Sequence, residues 1–228
     1  VYTPIEVVDF IIHSVNFALK KHFNRSLNHT DTHILDPFTG TGTFITRLLQ
    51  SGLINSNLEH KFNNEIHANE IVLLAYYIAN LNIAATYEEL TKTYAELGNL
   101  CLTDTFAMLH NHLFDDTCTQ DGKPFSENSK RIKRQKELKR IDVIIGNPPY
   151  SAGQKNANDN NQNTRYEALE QRFKDTYIKH STAQRNNIDS YKLALRWASD
   201  RIDGNGVIGF VTNASFIDGN SDDGLRYC

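Results

Sequence analysis

Apolar residues recur at Ile5, Val8, Ile12, Val15 and Leu19, a spacing that lines one face of a helix and predicts one over Ile5–Lys21. Pro4 suits its first helical position, with Thr3 as the cap before it. Beyond it, short apolar runs alternate with helical stretches. His33–Asp36 reads as a strand, Phe44–Leu53 as a helix, Phe62–Asn69 as containing a second strand and Val72–Ile83 as the next helix. Leu100–Thr103 is a short third strand ending in Asp104. Ile141–Gly146 is nearly continuous in β-branched apolar residues, the pattern of a strand covered on both faces. Tyr191–Ile202 reads as a helix and Val207–Thr212 as a fifth strand. This alternation predicts an α/β fold with a doubly wound, mostly parallel sheet.

Two polar stretches interrupt the pattern. Asp115–Glu127 reads as a loop or insertion that runs into S-K-R-I-K-R-Q-K-E-L-K-R, residues 129–140. This basic run is either a solvated helix face or a phosphate-contacting patch. The second stretch, Gly153–Thr164, is Asn-rich and almost purely polar, and reads as a mobile loop.

The chain has 228 residues, 39% of them hydrophobic, enough for one large domain or two small ones. The reading adopted is one domain over 1–228, with 107–140 as an insertion or basic segment and 151–165 as a mobile loop. No apolar run approaches the length needed to span a membrane. The opening V-Y-T-P-I-E-V-V-D-F lacks a basic stretch followed by an apolar one, so no secretory signal is expected. Without an initiator Met the chain reads as a piece of a longer protein. A net charge of −3 argues against a wholly electrostatic nucleic-acid binder. Cys101, Cys118 and Cys228 form no C-x-x-C pair, so neither a disulfide framework nor a Cys-based zinc site is expected, and a reducing cytoplasmic location follows. The nine histidines are scattered and read as surface residues; no metal is expected.

Candidate chemistry falls at successive strand ends, where open α/β sheets bind ligands. D-P-F-T-G-T-G-T-F, residues 36–44, follows the first strand and opens a helix. Gly40 and Gly42 allow a tight turn and close approach of a ligand, but the third glycine of a dinucleotide fingerprint and the G-K-[ST] of a phosphate cradle are missing. Asp36 is placed to receive an amino group. Glu70 in H-A-N-E-I is placed to accept ribose hydroxyls, with Glu65 as the nearer competitor. Asp104 could accept from an adenine amino group or merely cap a helix. The strongest segment is I-D-V-I-I-G-N-P-P-Y, residues 141–150. Two prolines make a rigid turn that leaves the Pro148 carbonyl free, and the Asn147 side-chain oxygen is a second acceptor. Two converging acceptors suit one planar amine, and Tyr150 offers a face on which a base can stack.

N-P-P-Y after a hydrophobic strand resembles the catalytic motif of amino-directed methyltransferases, above all those acting on adenine N6 in DNA. D-P-F-x-G-x-G resembles the donor loop of S-adenosylmethionine-dependent methyltransferases, and Y-T-P, residues 2–4, resembles the N-terminal motif that contacts the donor's methionine part. The resemblance implies a Rossmann-like methyltransferase fold whose last strands lie beyond Cys228. It implies S-adenosyl-L-methionine held by Tyr2, Thr3, Pro4, Asp36, Phe38, Gly40, Gly42, Glu70 and Asp104, and catalysis by Asn147, Pro148, Pro149 and Tyr150. The motif order, with only 34 residues from Ala107 to Arg140, resembles the γ arrangement. N-P-P-Y-S-A-G-Q, N-D-N-N-Q-N, D-S-Y and R-W-A-S-D-R-I together are similar to the methyltransferase part of type ISP restriction-modification enzymes. That implies DNA with a flipped adenine as partner, and target-recognition, helicase-like and nuclease parts in the parent chain. The competing readings are methylation of a protein glutamine or an RNA guanine, and a non-catalytic DNA-docking module.

Overall fold

The computed structural model describes residues 3–109, 126–150, 166–182, 188–202, 204–219 and 222–228. Its helices are α1 (Ile5–Phe23), α2 (Thr43–Gln50), α3 (Leu58–His60), α4 (Leu73–Thr91), α5 (Ser126–Glu137), α6 (Glu167–Phe173), α7 (Ser190–Ile202), α8 (Ser215–Asp218) and α9 (Asp223–Tyr227). The strands are β1 (Ile34–Asp36), β2 (Ile66–Glu70), β3 (Leu100–Leu102), β4 (Val143–Gly146) and β5 (Val207–Phe210), in the spatial order β3-β2-β1-β4-β5. Every pairing is parallel. The fold is Rossmann-like and doubly wound, as expected.

The period of two along a strand divides the core. Ile34, Ile66, Ala68, Val143 and Ile145 face a layer made by α1, α2 and α4, through Val8, Ile12, Val15, Ile45, Leu48 and Ile83. Leu35 and Ile144 face the opposite layer, where Leu169, Phe173, Leu193 and Trp197 come from α6 and α7. α1 lies close on β5 because Gly209 has no side chain: a Cβ there would sit 2.7 Å from Val15 and 2.8 Å from Ile11. This contact carries the chain's first residues to the carboxyl end of β4.

Several expectations need correction. Thr3 does not cap α1; Pro4 holds the cap position, with no side-chain cap bond, and the Thr3 hydroxyl is used elsewhere. Of the stretch expected to contain the second strand, only Ile66 onward is strand, and it runs one residue further to Glu70, since Lys61–Glu65 forms a π-helical turn before β2. There the buried Lys61 pairs with Glu65, while its Nζ also donates to the Thr32 carbonyl at 2.9 Å. Phe62 stacks on Tyr87 with ring centroids 4.0 Å apart. α4 runs through Thr91, well past Ile83. His67 is not at the surface: it is buried and stacked on His33, and burial lowers its pKa to about 3. Residues 126–137 form α5, which covers the edge strand β3; Asn128 accepts from the Leu102 N–H at 2.8 Å and donates to its carbonyl at 2.9 Å. The loop reading of Asp115–Glu127 falls mostly, and that of Gly153–Thr164 entirely, outside the described residues, as do Tyr2, His110, His112 and Cys118.

Candidate active site

The chain reverses direction across the sheet between β1 and β4, one leading to β2 and the other to β5. A doubly wound sheet opens a crevice at such a switch point, beyond the carboxyl ends of its strands. Here the crevice is a cleft of about 280 Å³ whose walls include Thr3, Phe38, Gly40, Glu70, Asp104, Asn147 and Pro149. Seven of the predicted residues therefore meet in one place.

The loop after β1 is held open by backbone-directed bonds. The Thr39 N–H donates to the Asn69 carbonyl at 2.9 Å, and the Gly40 N–H donates to Glu70 Oε2 at 2.7 Å. Glu70 Oε1 accepts from the Val72 N–H, also at 2.7 Å, so this acid ties the loop to the end of β2. Gly40 has φ +57° and Gly42 φ +93°, both in the region that favours glycine. A Cβ on Gly42 would also press on Ile83 at 3.2 Å, so this residue serves the packing of α2 on α4 and does not line the cleft.

Asp36 lies beneath the wall. It is fully buried, Oδ1 accepts from the Phe38 N–H at 3.1 Å, and Oδ2 has no partner. Its close neighbour is Gly146, where a Cβ would come within 2.9 Å of Oδ1. Burial, opposed by the Phe38 N–H and reinforced by the nearby Glu70 carboxylate, pushes the Asp36 pKa up to about 8. Glu65, the competitor of Glu70, sits at the amino end of β2 in the Lys61 network, where it also accepts from the Asp31 N–H. It takes no part in the cleft.

Asp104 accepts twice, from the Phe106 N–H at 3.0 Å and from the Tyr166 hydroxyl at 2.7 Å. Burial and this carboxylate raise the Tyr166 pKa well above its ordinary value. Phe38, Phe106 and Tyr166 form one aromatic wall, with successive ring centroids 5.4 and 5.1 Å apart. At the end of β4 the Asn147 amide nitrogen donates to Thr3 Oγ1 at 3.0 Å. That bond leaves Asn147 Oδ1 buried without a partner. Pro149 is on the wall and Pro148 is buried behind it. Tyr150 is turned aside: its hydroxyl donates to the Val211 carbonyl at 2.7 Å and its ring lies 6.0 Å from Tyr191. Pro4 is likewise off the wall.

Asn69, Thr103, Phe106 and Tyr166 line the cleft although sequence reasoning did not single them out. Asn69 and Thr103 flank Glu70 and Asp104 in sequence, a signal that was available; Tyr166 carries none. Asn69 Oδ1 and Thr103 Oγ1, like Asn147 Oδ1, are buried without partners. Desolvated polar atoms left unsatisfied cost about 1–3 kcal/mol each, and three on one wall mark a surface built to meet a polar ligand.

A family model described as the Eco57I restriction-modification methylase matches residues 56–228, about three quarters of the sequence. The chain belongs to this family. Three solved structures are similar over nearly its whole length. One is the DrdV–DNA complex (46% identity, 99% of this chain, TM-score 0.88). The others are the ATP-dependent type ISP restriction-modification enzyme LlaBIII bound to DNA (50%, 99%, 0.88) and a nuclease-deletion mutant of the type ISP enzyme LlaGI with a DNA substrate mimic (50%, 100%, 0.86). The matched segment makes up only 22, 15 and 19% of those chains. No curated protein matches. Within a restriction-modification methylase the cleft's lining suits a nucleoside-bearing methyl donor: acids at two strand ends, an aromatic wall, and unpartnered acceptors. Among the described residues no group of His, Cys, Asp and Glu could hold a metal ion, and no helix is long and apolar enough to cross a membrane.

Proposed function

We propose that this chain is the modification domain of a γ-type restriction-modification enzyme, transferring a methyl group from S-adenosyl-L-methionine to the exocyclic N6 of adenine in DNA. The observation that carries the reading is the unpartnered Asn147 Oδ1, buried at the end of β4 beside the cleft. The parent chain, like LlaBIII and LlaGI, would hold further parts that recognise and cleave DNA.

Bound S-adenosyl-L-methionine supplies an electrophilic methyl group on a positively charged sulfur. Glu70 would take its ribose hydroxyls, Asp104 its adenine amine, and Thr3 and Gly40 its methionine part, with Asp36 acting from beneath the wall by holding the Phe38 N–H. The aromatic wall of Phe38, Phe106 and Tyr166 suits a planar base. On the other side, Asn147 Oδ1 accepts one N–H of the target amine and the Pro148 carbonyl the other. These bonds orient the amine, draw its lone pair out of conjugation with the ring and stabilise the positive charge that develops on nitrogen. The target base must leave the duplex, at a cost of a few kcal/mol. Stacking on Tyr150, once its ring turns from Tyr191, would return about 1–3 kcal/mol. DNA contacts from the rest of the parent chain supply the remainder.

The test is transfer of tritium from labelled donor to duplex DNA by the full-length chain. Label in N6-methyladenine that disappears in Asn147→Ala supports the assignment. Label in RNA or in protein glutamine would move the chemistry to another amine.

A further inference from the structure

α4 is apolar on two opposite sides. Ala79, Ile83 and Tyr87 are buried against the domain's own core. On the other side Leu74, Tyr77, Ile78 and Leu81 stand at positions i, i+3, i+4 and i+7, the pattern of a single helical stripe. These side chains stand in solvent: Leu74 is 69% exposed, Leu81 65% and Tyr77 55%. Leu73, at the helix start, is 46% exposed and extends the patch. Single exposed apolar residues are ordinary, but a continuous stripe opposite a side already packed on the core is the mark of a helix covered on both sides.

The occupant can be argued. Interfacial helices that lie on anionic lipid carry Lys and Arg on their polar face, and α4 contains neither. A second copy of the chain would have to find the stripe by free diffusion. A neighbouring domain on the same polypeptide meets it at an effective concentration in the millimolar range. In DrdV, LlaBIII and LlaGI, 78–85% of the polypeptide lies outside the segment that matches this chain, so a large mass of tethered protein stands beside it.

We infer that the outer face of α4, from Leu73 to Leu81, is an intramolecular docking surface for an apolar face of another domain of the same long polypeptide. The stripe starts three residues after Glu70. The docked domain therefore sits on the helix that follows directly after the strand whose Glu70 anchors the loop after β1, whatever chemistry the cleft performs.

The experiment is site-specific photo-crosslinking in the full-length chain, with p-benzoylphenylalanine in place of Leu81 and, separately, of Leu74. Both positions are exposed, so neither replacement disturbs the core. The expected product is an intramolecular crosslink from both sites to one peptide outside residues 1–228, with no change in mobility to that of a dimer. A Leu74→Glu/Leu81→Glu chain should show at least a tenfold faster proteolytic cut between this domain and the rest. A crosslinked dimer would assign the face to a second copy and overturn the inference. So would a crosslink confined to residues 1–228, capture only by added lipid vesicles, no protein crosslink at all, or an unaltered rate of cutting.

Discussion

Replacing Asp36 by Asn should change how the stability of this protein depends on pH, by an amount the geometry fixes. The carboxyl is fully buried, with one N–H donor and one oxygen unpartnered, and its folded-state pKa is about 8 against an ordinary value of 3.8. Below 3.8 the group is protonated in both states and carries no pH dependence. Between about 4 and 8 only the folded state keeps the proton, so stability falls by about 1.4 kcal/mol per pH unit. Above 8 the loss is complete. Integrated from pH 6 to pH 9, the folded state going from about 99% to about 9% protonated, the loss is about 2–3 kcal/mol. Asn at this position has the same shape and no titration. Urea unfolding at pH 6, 7, 8 and 9 can be followed by the fluorescence of Trp197, the single and buried tryptophan. The wild-type and Asn curves should diverge by about 2–3 kcal/mol, with the wild type losing stability as pH rises. Other titrating groups are common to both chains and cancel. Parallel curves would show that Asp36 is ionised in the folded state at neutral pH, and the account of its environment would be wrong.

Asn147→Ala should abolish methyl transfer while leaving donor affinity within about twofold by calorimetry, because Asn147 faces the target amine. Glu70→Gln should weaken donor binding at least tenfold, since the charge that holds the Gly40 and Val72 N–H groups and the ribose is lost; unchanged calorimetric affinity would remove Glu70 from the donor site. Gly146→Ala should cost about 1–3 kcal/mol in urea unfolding, because the new methyl would fall 2.9 Å from Asp36 Oδ1. Glu65→Gln should cost about 3–5 kcal/mol by leaving Lys61 buried with its charge uncompensated, and Lys61→Met added to it should restore most of that loss.

The sheet was legible because β4 and β5 are rich in β-branched residues, the other strands are short runs between helical stretches, and most end on recognisable punctuation, so Glu70, Asp104 and Asn147 could be placed at strand ends from the sequence. What escaped was whatever depends on distant partners. Thr3 has the right chemistry for a helix cap, yet the residue that claims its hydroxyl is Asn147, 144 positions away. Asp104 looks like an open acceptor in L-C-L-T-D-T-F, and only folding brings the Tyr166 hydroxyl onto it. Phe62–Glu65, F-N-N-E, has one strand-favouring residue, Phe62, and it stacks on Tyr87: that stacking and the buried Lys61–Glu65 pair wind the segment into a turn and delay the strand to Ile66.

The cleft joins two halves whose side-chain bonds are largely separate, and this determines which perturbations stay local. The donor half is fixed by bonds that end on backbone atoms: Glu70 on the Gly40 N–H, the Thr39 N–H on the Asn69 carbonyl, the Thr105 hydroxyl on the Pro37 carbonyl. None of these runs through β4. The acceptor half, Asn147 to Tyr150, rests on β4 and β5, with the Tyr150 hydroxyl tied to Val211. Above the β1–β4 pairing that both halves share, the side-chain links between them include the Asn147–Thr3 hydrogen bond, the close approach of Gly146 to Asp36 and the contact of the Phe38 ring with Phe210. Removing the Asn147 side chain breaks the first and leaves every backbone-directed bond around Gly40 in place, which is why donor affinity should survive it. A methyl group on Gly146 strikes the second, and the one-strand path from Asp36 into the loop at Pro37–Gly40 should carry that strain into the donor half. Gly146→Ala should therefore lower donor affinity although it touches no donor-binding residue on the wall, whereas Asn147→Ala should not.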